Sequence, residues 1–252
     1  MSFVIKSQLD NLIATCLDDD NQNEVIRWIF TQATSTVLQS RNIGYDKFVL
    51  LQTLDADKLK IFLDEIKEED WFVNTARQDS IHVQKETQSI GLVTNLPISN
   101  FNNINNHDIV KTNMYDQYPL LTKFLHSFSN DVGQGWLSRA MIVRLQPGKQ
   151  VYPHIDMGSY YLFRDRYHLV LESDGSRMRV HGEESTWHNG ELWWFNNNLS
   201  HEAYNDSDKW RIHVIFDVLP YRNYDIVKQI RDKLYSSRRV LPSIIEEGKM
   251  YL

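Results

Sequence analysis

Residues 151–171 read VYPHIDMGSYYLFRDRYHLVL, and residues 200–220 read SHEAYNDSDKWRIHVIFDVLP. Both stretches contain short runs in which apolar and polar residues alternate, as they do along a strand with one face on a core. Further short runs of strand-forming residues lie between them, separated by turns and without a crossover helix. The pattern predicts a mainly β fold, a double-stranded β-helix (a jelly roll of the cupin type), with flanking helices. The predicted strands are VYPHID, YHLVLES, RMRVHG, ELWWFN and RIHVIFDV.

Three residues in these runs have the chemistry of metal ligands. His154 and Asp156 are two positions apart, so on an extended strand both side chains leave the same face. His201 follows 47 residues later as a third candidate ligand. Two imidazoles and one carboxylate can occupy one face of an octahedral Fe(II) and leave three positions open. The spacing therefore predicts a non-heme iron site of the oxygenase type.

Arg211 begins the alternating run RIHVIFDV, ten residues after the last candidate ligand. A guanidinium grips a carboxylate through two parallel hydrogen bonds, which is what a dicarboxylate cosubstrate needs. If Arg211 faces inward, alternation sends His213 and Asp217 inward too. His213 then either supports the site or is an ordinary sheet histidine.

Four segments share their order with a known family. Residues 141–220 resemble the aspartyl/asparaginyl β-hydroxylase branch of the 2-oxoglutarate-dependent oxygenases, which also includes some free-proline cis-hydroxylases. The matching segments are LQPGKQVYPHID, RYH (166–168), GELWWFNNNLSHEAYN and WRIHVIFDV.

The resemblance implies a role for each matching residue. His154, Asp156 and His201 would bind Fe(II), and Arg211 would bind the distal carboxylate of 2-oxoglutarate. Dioxygen would be the oxidant. Arg166 and His168 would lie near the other end of 2-oxoglutarate or near the substrate. The sequence departs from the family at Val143, where a serine usually helps to hold the distal carboxylate.

The substrate implied by the resemblance is an amino-acid side chain, free or within a peptide or protein. Binding a zwitterion or a peptide carboxylate requires fixed cations and hydrogen-bond donors. Arg77 and Arg166 are the candidates, with His82 as a lesser one. Two alternatives stay open: a sugar- or metal-binding module without turnover, and a metalloenzyme that does not use 2-oxoglutarate. Arg211 argues against the first, because a pure binding module has no need for a buried cation there.

Composition limits the partners. The 252 residues carry a formal net charge of −6 and no basic block, which weighs against a nucleic-acid or anionic-membrane partner. Cys16 is the only cysteine, so no internal disulfide can form, and this fits a reducing cytoplasm. The first residues lack the pattern of a signal peptide, and no apolar stretch approaches 18 residues. A cytoplasmic location is therefore expected.

The chain divides into three predicted parts: a helical N-terminal region (1–44), the jelly-roll oxygenase domain (45–220), and a C-terminal helix with a tail (221–252). The helical regions offer surfaces for a homodimer. Outside the jelly-roll runs, we expect strands at 47–54, 81–83, 89–93 and 138–145. Helices are expected from Asp55 or Asp57 to about Lys67, over 119–129 and over 224–237. Residues 100–108 are expected to form an Asn-rich loop.

Overall fold

The computed structural model describes residues 47–75, 77, 79, 81–95, 107–156 and 158–229. The predicted N-terminal helical region, most of the Asn-rich loop and the end of the C-terminal helix lie outside these ranges. The boundaries proposed for the three parts of the chain therefore stay predictions.

Eleven strands of the described residues form two antiparallel sheets. The larger sheet has the order β1-β9-β6-β11-β4-β2-β3, and the smaller sheet has the order β5-β10-β7-β8. The strands are β1 (Phe48–Thr53), β2 (Thr87–Asn95), β3 (Ile109–Lys111), β4 (Gly135–Leu145), β5 (Gln150–His154), β6 (Asp165–Glu172), β7 (Arg177–Val180), β8 (Glu183–Thr186), β9 (Glu191–Phe195), β10 (His201–Tyr204) and β11 (Arg211–Pro220).

The last eight strands make the jelly roll. Taken in chain order, β4 to β11 contribute β4, β6, β9 and β11 to the larger sheet, and β5, β7, β8 and β10 to the smaller one. Two interleaved four-stranded sheets with this connectivity form a double-stranded β-helix. The predicted fold class is confirmed, and β1, β2 and β3 extend the larger sheet at its two edges.

Two helices, α1 (Ala56–Glu65) and α2 (Pro119–Asp131), pack on the outer face of the larger sheet. The other helical elements are the short α3 (Ser159–Leu162), 3-10 turns at Glu68–Phe72, His82–Gln84, Tyr115–Gln117 and Tyr221–Asn223, and helical residues at 224–229. The Asp55 side chain caps α1 by accepting from the Lys58 backbone N–H at 2.9 Å. The Glu65 carboxylate, at the end of α1, accepts from the first free N–H groups of α2. This contact fixes the two helices to each other.

The two faces of the larger sheet bury different residues. The outer face packs against α1 and α2 in the main core, which includes Leu59, Leu125, Leu169, Val214 and Phe216. The inner face meets the smaller sheet across a second cluster of Val170, Met178, Val180, Trp187, Phe195, Leu199 and Ala203. The alternation predicted along β11 is confirmed, because Val214 and Phe216 lie in the outer core while His213 and Asp217 are buried on the other side.

One predicted strand is wrong. Residues 81–83, IHV, fall in a 3-10 turn at His82–Gln84 instead of a strand. An alternation of three residues is too short to separate a strand from a turn, and here the exposed Ile81 and His82 have no sheet surface to pack on. The neighbouring run SIGLV does lie in β2. Within the described ranges, no helix has both the length and the apolar character that crossing a bilayer requires.

Candidate metal centre and its pocket

His154 and His201 face each other on neighbouring strands of the smaller sheet. They are direct partners in the antiparallel register of β5 and β10, and their ring centroids are 4.2 Å apart. The Nδ1 of His154 donates to the carbonyl of Tyr152 at 2.7 Å, and the Nδ1 of His201 donates to that of Leu199 at 2.9 Å. Each ring therefore carries its proton on Nδ1 and leaves the Nε2 lone pair free.

Asp156 follows β5 by two residues and turns its carboxylate toward both rings. Its oxygens lie 3.9 Å from the Nε2 of His154 and 3.9 Å from the Nε2 of His201. One ligand atom from each of the three residues lies within 4.8 Å of the others. Asn197 holds the carboxylate from the β9–β10 loop, since its side-chain amide donates to Oδ2 at 3.2 Å and its carbonyl accepts from the Asp156 backbone N–H at 3.1 Å.

The charges around these residues suit a cation. Burial alone would raise the pKa of Asp156, but the adjacent Arg166 guanidinium and the two histidines hold it well below its usual range, so the carboxylate is ionised. Burial lowers the pKa of His201 to about 4, so its imidazole is neutral. Two imidazoles and one ionised carboxylate with converging ligand atoms fit a divalent transition metal.

Two of the three candidate ligands, His154 and His201, line a pocket between the two sheets. The smaller sheet and the loop before β2 supply part of the wall, and the inner face of the larger sheet supplies the rest. The lining residues are Arg77, Gln84, Val143, Val151, His154, Arg166, His168, Met178, Phe195, His201, Glu202, Ala203, Arg211, His213 and Ile215.

Arg211 is a buried cation that lines this pocket. Its side chain forms no ion pair with any residue in the described ranges, and its Nε donates to the His213 ring at 3.0 Å. Burial lowers the pKa of Arg211 to about 9, which keeps the group charged at neutral pH. Burial and the neighbouring Arg211 cation keep the pKa of His213 well below its usual range, so this histidine is neutral and accepts the hydrogen bond. A buried, unpaired guanidinium is stable only if an anion enters the pocket.

Arg166 has its counter-charges already. It donates through two nitrogens to the Asp217 carboxylate at 2.8 and 3.0 Å and through a third to Asp156 at 2.5 Å. The structure thus shows Arg166 as a bridge that fixes the metal-facing carboxylate, whereas the sequence placed it near 2-oxoglutarate or the substrate. His168, two residues along β6, does face the pocket, and its Nδ1 is 3.4 Å from the Nδ1 of His213.

The two candidates before β2 lie in different places. Arg77 is half-buried in the wall of the pocket. His82 is exposed, and its ring packs near that of Tyr152, 5.9 Å between centroids, outside the set of residues that line the pocket.

Sequence reasoning missed Asn197 and Gln84. Asn197 is one of three consecutive asparagines before His201, and a turn residue so close to a candidate ligand is the signal that could have found it. Gln84 contributes a buried side-chain oxygen to the pocket wall, but nothing in its local sequence distinguishes it from a surface glutamine.

Residues 79–220, more than half of the chain, match the family model described as Aspartyl/Asparaginyl beta-hydroxylase. The chain belongs to the aspartyl/asparaginyl beta-hydroxylase family. The match spans both sheets of the jelly roll and includes every residue of the metal centre, which agrees with the resemblance seen in the sequence.

Similar proteins include two curated members of the family. The aspartyl/asparaginyl beta-hydroxylase of Mus musculus is 28% identical over 102 residues, which cover 40% of this chain and 13% of that protein. The aspartyl/asparaginyl beta-hydroxylase of Homo sapiens is 31% identical over 74 residues, which cover 29% of this chain and 10% of that protein. The chain therefore corresponds to a small part of these much longer relatives.

Solved structures with a related arrangement are more distant. An oxidoreductase of the 2OG-Fe(II) oxygenase family from Burkholderia pseudomallei is 12% identical, with a TM-score of 0.43 and coverage of 73% of this chain and 88% of that one. A Pseudomonas putida prolyl-4-hydroxylase is 15% identical, with a TM-score of 0.44 and coverage of 75% and 98%.

Proposed function

We propose that this protein is an Fe(II)- and 2-oxoglutarate-dependent hydroxylase. The observation that carries the proposal is the uncompensated Arg211 guanidinium in the same pocket as the ligands His154, Asp156 and His201. A metal-binding module needs the three ligands alone. A buried cation beside them requires an anionic partner, and the distal carboxylate of 2-oxoglutarate supplies one.

His154, Asp156 and His201 would hold the Fe(II), which would supply the activation of dioxygen. The overall reaction consumes 2-oxoglutarate, one dioxygen and one substrate C–H bond. It gives succinate, carbon dioxide and the hydroxylated product, with one oxygen atom in succinate and the other in the new hydroxyl group.

The protein's own residues hold and orient the reactants. Arg211 binds the distal carboxylate through its guanidinium, and His213 fixes the direction of that guanidinium. Val143, the partner of His213 across β4 and β11, presents an apolar surface where relatives use a serine. The grip on the distal carboxylate therefore depends on Arg211 alone at this position. His168, buried with a pKa lowered well below its usual range by burial and the Arg211 cation, offers a neutral hydrogen-bonding ring to the other end of 2-oxoglutarate.

The substrate is an amino acid, either free or within a peptide or protein, and Arg77 is the pocket cation available to it. A location in the cytoplasm fits ferrous chemistry in a chain with one cysteine. A metalloenzyme that ignores 2-oxoglutarate is the second candidate from the sequence, and it leaves Arg211 without a function.

The test is production of succinate. The protein, loaded with Fe(II) under argon and then exposed to air with 2-oxoglutarate, should form succinate slowly without substrate and faster with it. Arg211→Ala should lose this activity, whereas Arg222→Gln, which removes a partly exposed cation paired with Asp165, should keep it. Iron-loaded parent protein that forms no succinate, with or without a broad mixture of amino acids and peptides, would refute the proposal.

A further inference from the structure

We propose that Arg77 and Gln84 form a second recognition site in the pocket, which binds a carboxylate of the substrate together with a nearby N–H group. The inference rests on the proposed hydroxylase function and names the chemistry of its substrate. The two sources of such a pair are the main chain of an amino acid with a free α-carboxylate and an acidic side chain within a peptide.

Arg77 is the second pocket cation that has no carboxylate partner among the described residues. Its side chain makes one hydrogen bond, to the Thr87 hydroxyl at 3.4 Å, and no ion pair with a residue in the described part of the chain. Arg166 already pairs with the carboxylates of Asp156 and Asp217. Arg211 is the residue proposed to bind 2-oxoglutarate. Burial and the nearby Arg166 cation lower the pKa of Arg77 to about 10, so the guanidinium still carries its charge at neutral pH. An anion other than the cosubstrate would compensate this charge.

The Gln84 side chain needs a hydrogen-bond donor, whereas Arg77 attracts an anion. Its Oε1 is buried and accepts no hydrogen bond from the described residues. A buried acceptor without a donor is unfavourable, so an N–H group from a bound molecule would stabilise it. The other lining residue with a side-chain oxygen acceptor, Glu202, already accepts from Arg179 at 3.0 Å and from the Tyr204 hydroxyl at 2.7 Å. Gln84 is therefore the wall residue left to receive an N–H donor.

Thr87 forms hydrogen bonds with both Arg77 and Gln84. Its hydroxyl accepts from Arg77 and donates to the backbone carbonyl of Gln84 at 2.7 Å, and the residue is buried at the start of β2. A cation and a neutral acceptor that line one pocket and both contact Thr87 select a ligand that carries a carboxylate and an N–H group. An amine and an amide N–H both satisfy a neutral acceptor, so the pair accommodates a free amino acid or a peptide.

The experiment compares matched acids and amides as substrates of the iron-loaded protein with 2-oxoglutarate. One arm holds free L-amino acids and their carboxamides. A second holds short peptides with a free or an amidated C-terminus, and a third holds doubly blocked peptides with an internal Asp or Asn. Addition of one oxygen is measured by mass spectrometry and coupled to succinate. The arm that shows a preference for the acid identifies the source of the carboxylate.

We expect kcat/KM to favour the acid over the matched amide by about 10- to 100-fold, the value of a charge-assisted hydrogen bond. Arg77→Gln should reduce that preference to about threefold or less, mainly through KM. Gln84→Ala should raise KM, and Gln84→Glu should restore binding of substrates with a free amine. The control Arg222→Gln should leave the preference intact. Thermal unfolding of each variant verifies that it is folded.

Equal turnover of acids and amides by the parent, or an unchanged preference in folded Arg77→Gln, would overturn the inference. Succinate formed together with hydroxylated product would still support the hydroxylase function in that case. Loss of all succinate formation in the parent would instead refute the proposed function.

Discussion

At the scale of single residues, charge compensation separates the three arginines of the pocket. Arg166 lies between Asp156 and Asp217, so its charge is used inside the protein. Arg77 and Arg211 form no ion pair with the described residues, so both are open to a bound anion. The structure thus distinguishes one internally paired arginine from two that lack such a partner in the described ranges, a difference that their sequence positions do not reveal.

Replacing Arg211 by Ala should weaken binding of 2-oxoglutarate by about 2–4 kcal/mol, the value of a lost charge-assisted, bidentate contact in a buried site. Arg211→Lys keeps the charge and loses the planar fork, so binding should weaken too, though less. Calorimetric titration of 2-oxoglutarate into the Ni(II)-loaded protein measures the affinity of both variants. Wild-type affinity in Arg211→Ala would remove this residue from the site.

Asp217 anchors Arg166, which in turn orients Asp156. Asp217→Asn leaves two buried arginines, Arg166 and Arg139, short of negative charge, and should lower the free energy of unfolding by about 3–5 kcal/mol. Metal affinity should fall with it. The matched control is Asp206→Asn, which breaks an exposed pair with Arg177 and should cost less than about 1 kcal/mol. Urea unfolding of the two variants compares them directly, and equal losses would contradict a special role for Asp217.

Strand alternation made part of the candidate site predictable, since β11 sends Arg211 and His213 inward together. Asp156 lies beyond the end of β5, and contacts with Asn197, not strand alternation, hold its carboxylate near His154. Sequence could not show that Arg166 is held by Asp217, because that contact joins residues 51 positions apart on neighbouring strands. It could not find Gln84 either, because its burial depends on how a loop folds over the pocket.

At the scale of elements, length decided which patterns were informative. The run YHLVLES was predicted as a strand, and it lies in the eight-residue β6, which is buried along almost its whole length. The three-residue run IHV carried too little pattern, and it forms a turn. The helix α1 was predictable from its cap, since Asp55 precedes a periodic apolar segment.

The junction between β1 and the jelly roll depends on Gly190, just before β9. It has φ +85, and a Cβ there would collide with the carbonyl oxygen of Leu54, whose backbone pairs with Gly190 at 2.9 Å. Gly190→Ala should therefore destabilise the protein by a few kcal/mol. Gly175→Ala, with φ +79 and nothing within 4 Å of its Cβ, should cost only the conformational term of about 1–2 kcal/mol. Equal thermal shifts in the two variants would argue against a tight junction.

At the scale of the whole molecule, the metal should stabilise the folded state. The three ligands converge only when β5, β10 and the loop after β5 are in place, so metal binds the native chain and not the unfolded one. A metal concentration of about 100 times Kd adds about 2.7 kcal/mol of stability, which for a chain of this size corresponds to about 5–10 °C in Tm.

His201→Ala should abolish that increase in Tm while the metal-free variant still unfolds cooperatively. Differential scanning fluorimetry with Ni(II) and with chelator measures the shift in both proteins. An undiminished shift in His201→Ala would show that the metal binds elsewhere.

The central claim is that one pocket holds a metal on three ligands and a dicarboxylate on Arg211. A crystal structure of the protein with Mn(II) and 2-oxoglutarate under argon tests it most directly. The account predicts metal on the Nε2 atoms of His154 and His201 and on one oxygen of Asp156, with the distal carboxylate of 2-oxoglutarate paired to the Arg211 guanidinium. Metal without 2-oxoglutarate at saturating concentration, or 2-oxoglutarate bound away from Arg211, would contradict it.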